Sequence, residues 1–320
     1  LRRQRQMFIR DRYENASKPT AICKEEKQSA FIGADSTMGE TFTTTAQVPV
    51  LRLYQFLTSF TVQSGPDKGK PVLDGNAVSD NDFIRSVMRA DYSMIYANGV
   101  KGSHRRLLIV LQGMDASGKG GIVRHVFSQG DPMGMHYHGF GAPKGEELDH
   151  DYLWRIKREL PNNGWISIFD RSHYEDIVMP RIYKTQPEEV WQARYDEINR
   201  FESQLTADGC AIIKIFLVVS KDEQKRHFLS RLDDPTKYWK FDPSDLEARA
   251  RWDDYMAAWQ DVFLRTSTEQ APWYLVPADN RWYSRAVVSE LLRNTLKNMN
   301  MIWPPLEVDA DEMRRQLDTL

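Results

Sequence analysis

The pattern of apolar and polar positions predicts strands and helices that alternate along the chain from about residue 82 onward. Short apolar runs, typical of buried strands, occur at 107–112, 165–169, 211–219 and 273–276. Stretches with the longer period of amphipathic helices occur at 121–129, 148–160, 188–205, 221–232 and 281–298. This alternation predicts an α/β fold, a three-layer α/β/α sandwich with a mostly parallel sheet and the active site at the carboxyl ends of the strands.

The two ends of the chain have weaker patterns. Residues 1–80 contain a polar, β-prone run and a segment rich in Gly, Pro and Asp, and we predict an extension, partly disordered, of unknown function. An amphipathic helix is predicted from about Asp82, ahead of the first core strand. We therefore divide the chain into this extension, a main domain over 81–305 and a C-terminal tail over 306–320.

The ten residues LQGMDASGKG lie between the first predicted strand and the next helix. They nearly match the phosphate-binding pattern G-x-x-x-x-G-K-[ST], with Gly113, Gly118 and Lys119 in place. Such a loop offers backbone N–H groups and an ammonium to bound phosphates. Gly120, however, stands where the Mg²⁺-binding hydroxyl is expected, and the loop contains an acid, Asp115. Because phosphates would repel a carboxylate unless a cation lay between them, we predict that Asp115 replaces the missing metal ligand.

The second motif, FDRSHYED, begins at the end of a predicted buried strand. Asp170 has the position of an acid that holds Mg²⁺ directly or through water, and Arg171 is placed to neutralise a transferring phosphoryl group. Two structural alternatives remain open here, because Asp170 would also suit a helix N-cap and Arg171 a structural ion pair. Five residues beyond Asp170, Glu175 is a candidate for the nucleotide site.

The third motif is a basic and aromatic excursion, RLDDPTKYWKF, that follows the helix over 221–232. We predict a helical lid at about 231–250, with Arg231 reaching the phosphates when the lid closes. Ser244 and Glu247 have the spacing of a capping box, which predicts the start of the next helix. The alternative is a surface helical hairpin without a catalytic part.

Composition limits the classes of partner. The chain has 320 residues, 41% of them hydrophobic and 28% charged, and a net charge of −2, which does not favour a nucleic-acid-binding protein. No apolar run approaches the roughly 20 residues that cross a bilayer, and the first residues lack the apolar stretch of a signal peptide. Cys23 and Cys210 form neither a disulfide framework nor a metal spacing, and the pair His136 and His138 has no further His or Cys at ligand spacing. We expect a cytoplasmic protein that binds neither membrane nor nucleic acid.

The motifs GMDASGKGG, FDRSHYED, RLDDPTKYWKFDPSDLEARARWDDY and APWYLVPADNRWYSR together resemble those of the polyphosphate kinase 2 family, over roughly residues 82–305. The resemblance implies reversible phosphoryl transfer between inorganic polyphosphate and AMP or ADP, with Mg²⁺ or Mn²⁺ as cofactor. It implies that Asp115 and Asp170 bind metal, that Lys119 contacts phosphate, and that Arg171 and Arg231 act on the transferred group. We also expect a homo-oligomer.

Two finer expectations concern the substrates. Sequences with RSHYED resemble the subgroup that accepts both AMP and ADP, and we hypothesise that Glu175 accepts a hydrogen bond from the amino group of adenine. The alternative for Glu175 is an acid that interacts with a helix dipole. For the polyphosphate chain we predict a cationic track that comprises the lid and Lys144, Arg171, Arg181 and Lys184.

Two other functions remain open from sequence alone. An ATP-dependent nucleoside or nucleoside-monophosphate kinase would share the fold, the lid and the metal ligands. A catalytically silent phosphate sensor or scaffold is the third possibility, although Lys119 and Asp170 are both present. An assay with polyphosphate and ADP but no ATP separates the first two.

Overall fold

The computed structural model describes residues 92–130 and 132–320, which are built around a parallel β-sheet. Five strands form this sheet in the order β2-β3-β1-β4-β5, and every neighbouring pair is parallel. The strands are β1 (Arg106–Gly113), β2 (Met135–Gly139), β3 (Ile166–Asp170), β4 (Cys210–Val218) and β5 (Trp273–Pro277). The predicted fold class is confirmed, and the described sheet is wholly parallel.

Ten α-helices lie among the described residues, in the connections between strands and at the two ends. They are α1 (92–100), α2 (Lys119–His125), α3 (Tyr152–Arg158), α4 (Glu175–Tyr183), α5 (Glu188–Ala207), α6 (Lys221–Leu232), α7 (Ser244–Ala250), α8 (Trp252–Thr266), α9 (Arg281–Asn298) and α10 (Ala310–Thr319). Short 3₁₀ segments cover Phe127–Gln129, Pro132–Gly134, Gly145–Asp149 and Pro235–Lys240. None of the described helices combines the length and the apolar character that a membrane span requires.

The core lies on both faces of the sheet. In β1, Leu108 and Val110 pack into one apolar cluster, and Leu107, Ile109 and Leu111 pack into the other. All five side chains are fully buried. Successive side chains of a strand point to opposite faces, so a strand that is covered on both sides must be apolar at nearly every position.

The structure corrects the predicted helix over 148–160. A 3₁₀ segment, Gly145–Asp149, precedes the much shorter helix α3. The side chain of Asp151 accepts a hydrogen bond from the backbone N–H of Leu153, which makes Asp151 the N-cap and fixes where α3 begins. The edge strand β2 was not predicted, because its sequence MHYHG alternates two histidines with other residues and contains no apolar run.

The predicted capping box at Ser244 is wrong. Ser244 is the first residue of α7, and its backbone N–H and its hydroxyl both donate to Oδ1 of Asp242. Asp242 therefore organises this helix start. The predicted helix from Asp82 is described only over 92–100, and the rest of it lies outside the described residues together with the predicted extension over 1–80. The predicted tail over 306–320 contains α10, whose start is capped by Asp309.

Candidate active site

The phosphate-loop sequence forms the predicted turn between β1 and α2, and two glycines determine its shape. Gly113 has a φ of 148°, and a Cβ there would lie 2.6 Å from Oγ of Ser117 and 2.8 Å from the carbonyl oxygen of Leu217. Gly118 is the N-cap of α2 with a φ of 102°, a conformation that favours glycine. The first N–H groups of a helix have no intrahelical partners, so this turn presents donors to an anion.

Gly120 is not required by sterics. A Cβ at this position would meet only Nη2 of Arg124, at 4.0 Å. A serine or threonine would therefore fit where the usual hydroxyl ligand stands. The position has space for a side chain but carries none, and Asp115 is the acid that the loop itself contains.

The loop and the FDRSHYED motif meet through a short ion pair. Nη2 of Arg171 lies 2.7 Å from Oδ1 of Asp115. Burial lowers the pKa of Arg171, but the nearby charges of Glu175 and Asp115 outweigh it, and the net pKa is raised. Lys119 reaches back across the loop, where its Nζ donates to the carbonyl oxygen of Gly113 at 2.7 Å. The structure thus brings together the predicted residues Asp115, Lys119 and Arg171.

Asp170 joins this group because β3 pairs directly with β1. The register places Leu111 opposite Asp170, so the acid lies at the same edge of the sheet as the phosphate loop. Its Oδ2 accepts a hydrogen bond from the hydroxyl of Tyr137 in β2, at 3.3 Å. Burial, and then the charge of Asp170, raise the pKa of Tyr137. The N-cap of α4 is Tyr174, so the alternative role of Asp170 as a helix cap is not observed.

The middle of the FDRSHYED motif is anchored in the core by a buried polar network. Nζ of Lys214 in β4 lies 2.6 Å from Oε2 of Glu202 and donates to the hydroxyl of Tyr174 at 2.8 Å. The other carboxylate oxygen of Glu202 accepts from Tyr174 at 2.7 Å and pairs with His173 at 3.3 Å. Burial, and then the charge of Glu202, raise the pKa of Tyr174 well above its usual value. This network fixes the segment that directly follows Arg171.

Glu175 is held by a hydrogen bond from Gln112 and does not face the cavity directly. In the orientation of the Gln112 amide that satisfies both of its ends, Nε2 donates to Oε1 of Glu175 at 3.0 Å and Oε1 accepts from the backbone N–H of Ser172 at 3.1 Å. Burial raises the pKa of Glu175, and the charges of Arg171 and Lys119 oppose that shift. Glu175 is not among the residues that line the adjoining cavity. Its predicted contact with adenine stays a prediction.

The predicted lid segment contributes Arg231 to the same site. Its Nη1 donates to the carbonyl oxygen of Lys240 at 2.9 Å and to Oδ2 of Asp245 at 3.2 Å. The guanidinium also lies over the ring of Phe228, at 5.4 Å. Arg231 therefore links the end of α6 to the 3₁₀ segment and to α7.

These parts line an open cavity of about 900 Å³ at the carboxyl ends of the strands. Among the described residues, eight cationic side chains line it: Lys119, Arg124, Arg171, Arg231, Lys237, Lys240, Arg281 and Arg285. Three carboxylates line it as well: Asp115, Asp170 and Asp245. The charged lining is thus strongly positive, and the acids are in the minority.

The crowding of like charges is visible in the pKa shifts. Burial lowers the pKa of Lys240, and the charges of Arg124, Arg231 and Lys237 lower it further. The pKa of His227 is lowered by burial first, despite a hydrogen bond with the carbonyl oxygen of Ala116, and nearby arginines add to the effect. Cations that disfavour one another in this way are the expected lining of a site for a polyanion.

Part of the predicted cationic track lies elsewhere. Arg181 forms an ion pair with Asp261 and stacks on Trp191, and Lys184 is exposed at the end of α4. Neither they nor Lys144 line the cavity. The structure therefore does not place these three cations with Arg171.

The lid cations Arg231, Lys237 and Lys240 line the cavity as predicted, and cations from α2 and α9 join them. The sequence reasoning did not single out Arg281 and Arg285, although both belong to the motif APWYLVPADNRWYSR and their spacing of four residues in a predicted helix indicates that they share one face. Arg124 was missed in the same way, five residues beyond Lys119 in α2. Its Nε donates to the carbonyl oxygen of Gly120 at 3.1 Å, which keeps its side chain over the phosphate loop.

The carboxylates of the cavity fit a hard divalent cation. Asp115 and Asp170 offer the oxygen ligands that Mg²⁺ and Mn²⁺ accept. Burial raises the pKa of Asp245, and the charge of Asp115 raises it further, while the charge of Arg231 opposes the shift.

Comparison with known proteins agrees with this site. The family model described as polyphosphate kinase 2 matches residues 82–303. The chain belongs to the polyphosphate kinase 2 family. It is 43% identical over 220 residues to the AMP/ADP-polyphosphate phosphotransferase of Meiothermus ruber, which covers 69% of this chain and 81% of that protein. The ADP-polyphosphate phosphotransferase of Rhodopseudomonas palustris is 41% identical over 240 residues, which is 70% of this chain and 82% of that one.

A solved structure supports the same assignment. The crystal structure of polyphosphate kinase 2 from Arthrobacter aurescens superimposes with a TM-score of 0.75 at 41% identity, over 81% of this chain and 90% of that chain. The predicted family resemblance is confirmed, and the matched region agrees with the range of 82–305 that the motifs gave. A polyphosphate kinase 2 fold accounts for the cavity that the three motifs line.

Proposed function

We propose that this chain transfers a phosphoryl group reversibly between inorganic polyphosphate and the adenine nucleotides AMP and ADP. The observation that carries the proposal is the excess of cations in the cavity beside the phosphate loop, eight against three carboxylates among the described residues. A chain of phosphates has about one negative charge per unit, so it needs such a lining along its length. The names of the relatives from Meiothermus ruber and Rhodopseudomonas palustris support this substrate class.

The loop residues have distinct roles in this reaction. Lys119 and the N–H groups of the loop bind and orient the phosphates, because phosphoryl transfer depends on in-line positioning more than on covalent chemistry. Asp115 and Asp170 would hold the divalent metal, Mg²⁺ or Mn²⁺. When bound, that ion supplies positive charge against the phosphate oxygens.

The arginines act on the transferred group. Arg171 is fixed by Asp115 on one side and by the anchored FDRSHYED segment on the other, so that its guanidinium lies at the edge of the cavity. Arg231 is tied to the segment predicted to be the lid, and closure of that segment would exclude water from the phosphates. Together they place two delocalised cations where negative charge spreads during transfer.

The test is a chromatographic assay of ATP formed from polyphosphate and ADP, with no ATP present at the start. We expect ATP to form with the wild type, and ADP to form when AMP replaces ADP. Arg281→Ala with Arg285→Ala should raise the polyphosphate KM severalfold more than the nucleotide KM, because the two side chains line the cavity from α9 and are not part of the phosphate loop. Arg314→Ala, on the exposed helix α10, is the matched control and should change neither constant.

A reaction that proceeds only when ATP is the donor would refute the proposal. It would assign the site to a nucleoside or nucleoside-monophosphate kinase, the alternative that shares the metal ligands. The cytoplasmic location and the homo-oligomer remain part of the proposal. Gel filtration with light scattering tests the second of these.

A further inference from the structure

A second cluster of ligating side chains lies on the edge strand β2, outside the catalytic cavity. Nε2 of His136 is 2.7 Å from Oε2 of Glu159, and Nδ1 of His138 is 3.2 Å from the same oxygen. The three ligating atoms all lie within 4.8 Å of one another. Each side chain is partly exposed, between 23% and 42%, so the cluster is open to ions from solution.

The backbone explains why these residues meet. His136 and His138 are two positions apart in a strand, so their side chains point to the same face of the sheet. Glu159 is the C-cap of α3, and it reaches that face from the helix. Tyr137, between the two histidines, points to the opposite face, where it donates to Asp170.

The cluster is separate from the phosphate site. Tyr137 and Gly139 of β2 line the catalytic cavity, whereas His136 and His138 do not. Its donor set also differs, because it offers two imidazole nitrogens and one carboxylate, while the acids of the cavity offer only oxygen. Mg²⁺ prefers oxygen ligands, and imidazole suits first-row transition metals such as Zn²⁺.

We infer that His136, His138 and Glu159 bind a divalent transition-metal ion of the Zn²⁺ class, with solvent in the remaining position. Zn²⁺ bonds of roughly 2.0–2.1 Å in a tetrahedral site place neighbouring ligand atoms about 3.3 Å apart. The contact of Glu159 with His138 has nearly this length already. The contact with His136 has to lengthen by roughly 0.6 Å, a change that rotation of partly exposed side chains allows.

Binding would join the edge strand to the end of α3. The ion would bridge residues 136, 138 and 159. Within the described sheet, β2 is an edge strand that pairs only with β3. An added ligand that binds the folded state raises the midpoint of thermal unfolding. The wild type should therefore melt at a higher temperature with Zn²⁺ than without it.

The test is titration of the full chain, without a histidine tag, with Zn²⁺ in calorimetry and with Co²⁺ in visible absorption. Excess Mg²⁺ is present throughout, so that the carboxylates of the phosphate site are occupied. We expect one site per chain, with the d–d bands of a four-coordinate Co²⁺ ion. His136→Ala and Glu159→Gln should each weaken binding at least about tenfold, equivalent to ~1.4 kcal/mol.

His104→Ala is the matched control, because His104 lies before β1 and contacts Asn163 instead of this cluster. It should bind Zn²⁺ like the wild type. Thermal melts without metal check that each variant folds. If His136→Ala does not fold, the result for Glu159→Gln, which keeps the size of the side chain, decides the test. Equal affinity of the wild type and both cluster variants would overturn the inference. So would the absence of stoichiometric binding to the wild type, which would show that the cluster is only an ion pair.

Discussion

The most direct test of the unusual phosphate loop is Asp115→Asn, which removes a charge and almost no volume. In the folded protein Asp115 pairs with Arg171 at 2.7 Å, and the two side chains are 26% and 42% exposed. An ion pair this open to solvent contributes about 0–1 kcal/mol to stability. The variant should therefore unfold within a few degrees of the wild type, at most ~4 °C lower.

The expected effect on activity is far larger. If Asp115 is a metal ligand, its loss removes charge stabilisation from the transferring group, and single groups of that kind are worth about 10²–10³ in kcat. The mutation should also raise the Mg²⁺ concentration that gives half of the maximal rate. A residue that only positions Arg171 would lower kcat but leave the Mg²⁺ requirement unchanged, which separates the two roles.

The assay measures ATP formed from polyphosphate and ADP across a Mg²⁺ series, with thermal unfolding measured in parallel. Asp318→Asn is the control, since Asp318 is an exposed acid of α10 that does not line the cavity. Activity within about tenfold of the wild type, a cost of ~1.4 kcal/mol or less, would refute the metal-ligand role.

Three further predictions concern the lid, the acceptor and the anchoring network. Arg231→Ala should lower kcat severely and raise the nucleotide KM little, as expected for an interaction made in the transition state; a raised KM at unchanged kcat would instead show a binding residue. Glu175→Asn should reduce the preference for adenine over guanine acceptors, and unchanged kcat/KM ratios with AMP, ADP and GDP would assign Glu175 to holding Gln112 and the nearby arginine. Lys214→Met should cost about 3–5 kcal/mol in urea unfolding, because the carboxylate of Glu202 stays buried without its cation. Adding Glu202→Gln should recover part of that loss, and purely additive losses would contradict the coupling.

The sequence by itself determined the fold class and the core of the site. Apolar runs of strand length alternate with helical periods, and this local pattern depends on side-chain direction within each element. The phosphate loop could also be predicted from the sequence, because its conformation requires glycines. Gly113 and Gly118 both have positive φ angles, and a Cβ at Gly113 would lie too close to its neighbours. Asp170 followed from its position at the end of a strand.

Only the tertiary structure decided which cations surround those residues. Arg181 belonged to a motif-rich region yet pairs with Asp261, while Arg281, far along the chain, lines the cavity. Which face of a helix meets the sheet is set by packing between distant segments, and a single sequence does not encode that packing in any short window.

The cluster of ligating side chains on the edge strand β2 is a second feature that only the tertiary structure decided. The sequence presents His136 and His138 as a pair without a third ligand, because Glu159 is 21 residues beyond the second histidine. Pairing of β2 with β3 and the cap of α3 bring the three side chains together. Contacts between residues so far apart depend on strand order and helix placement, and these are properties of the folded chain as a whole.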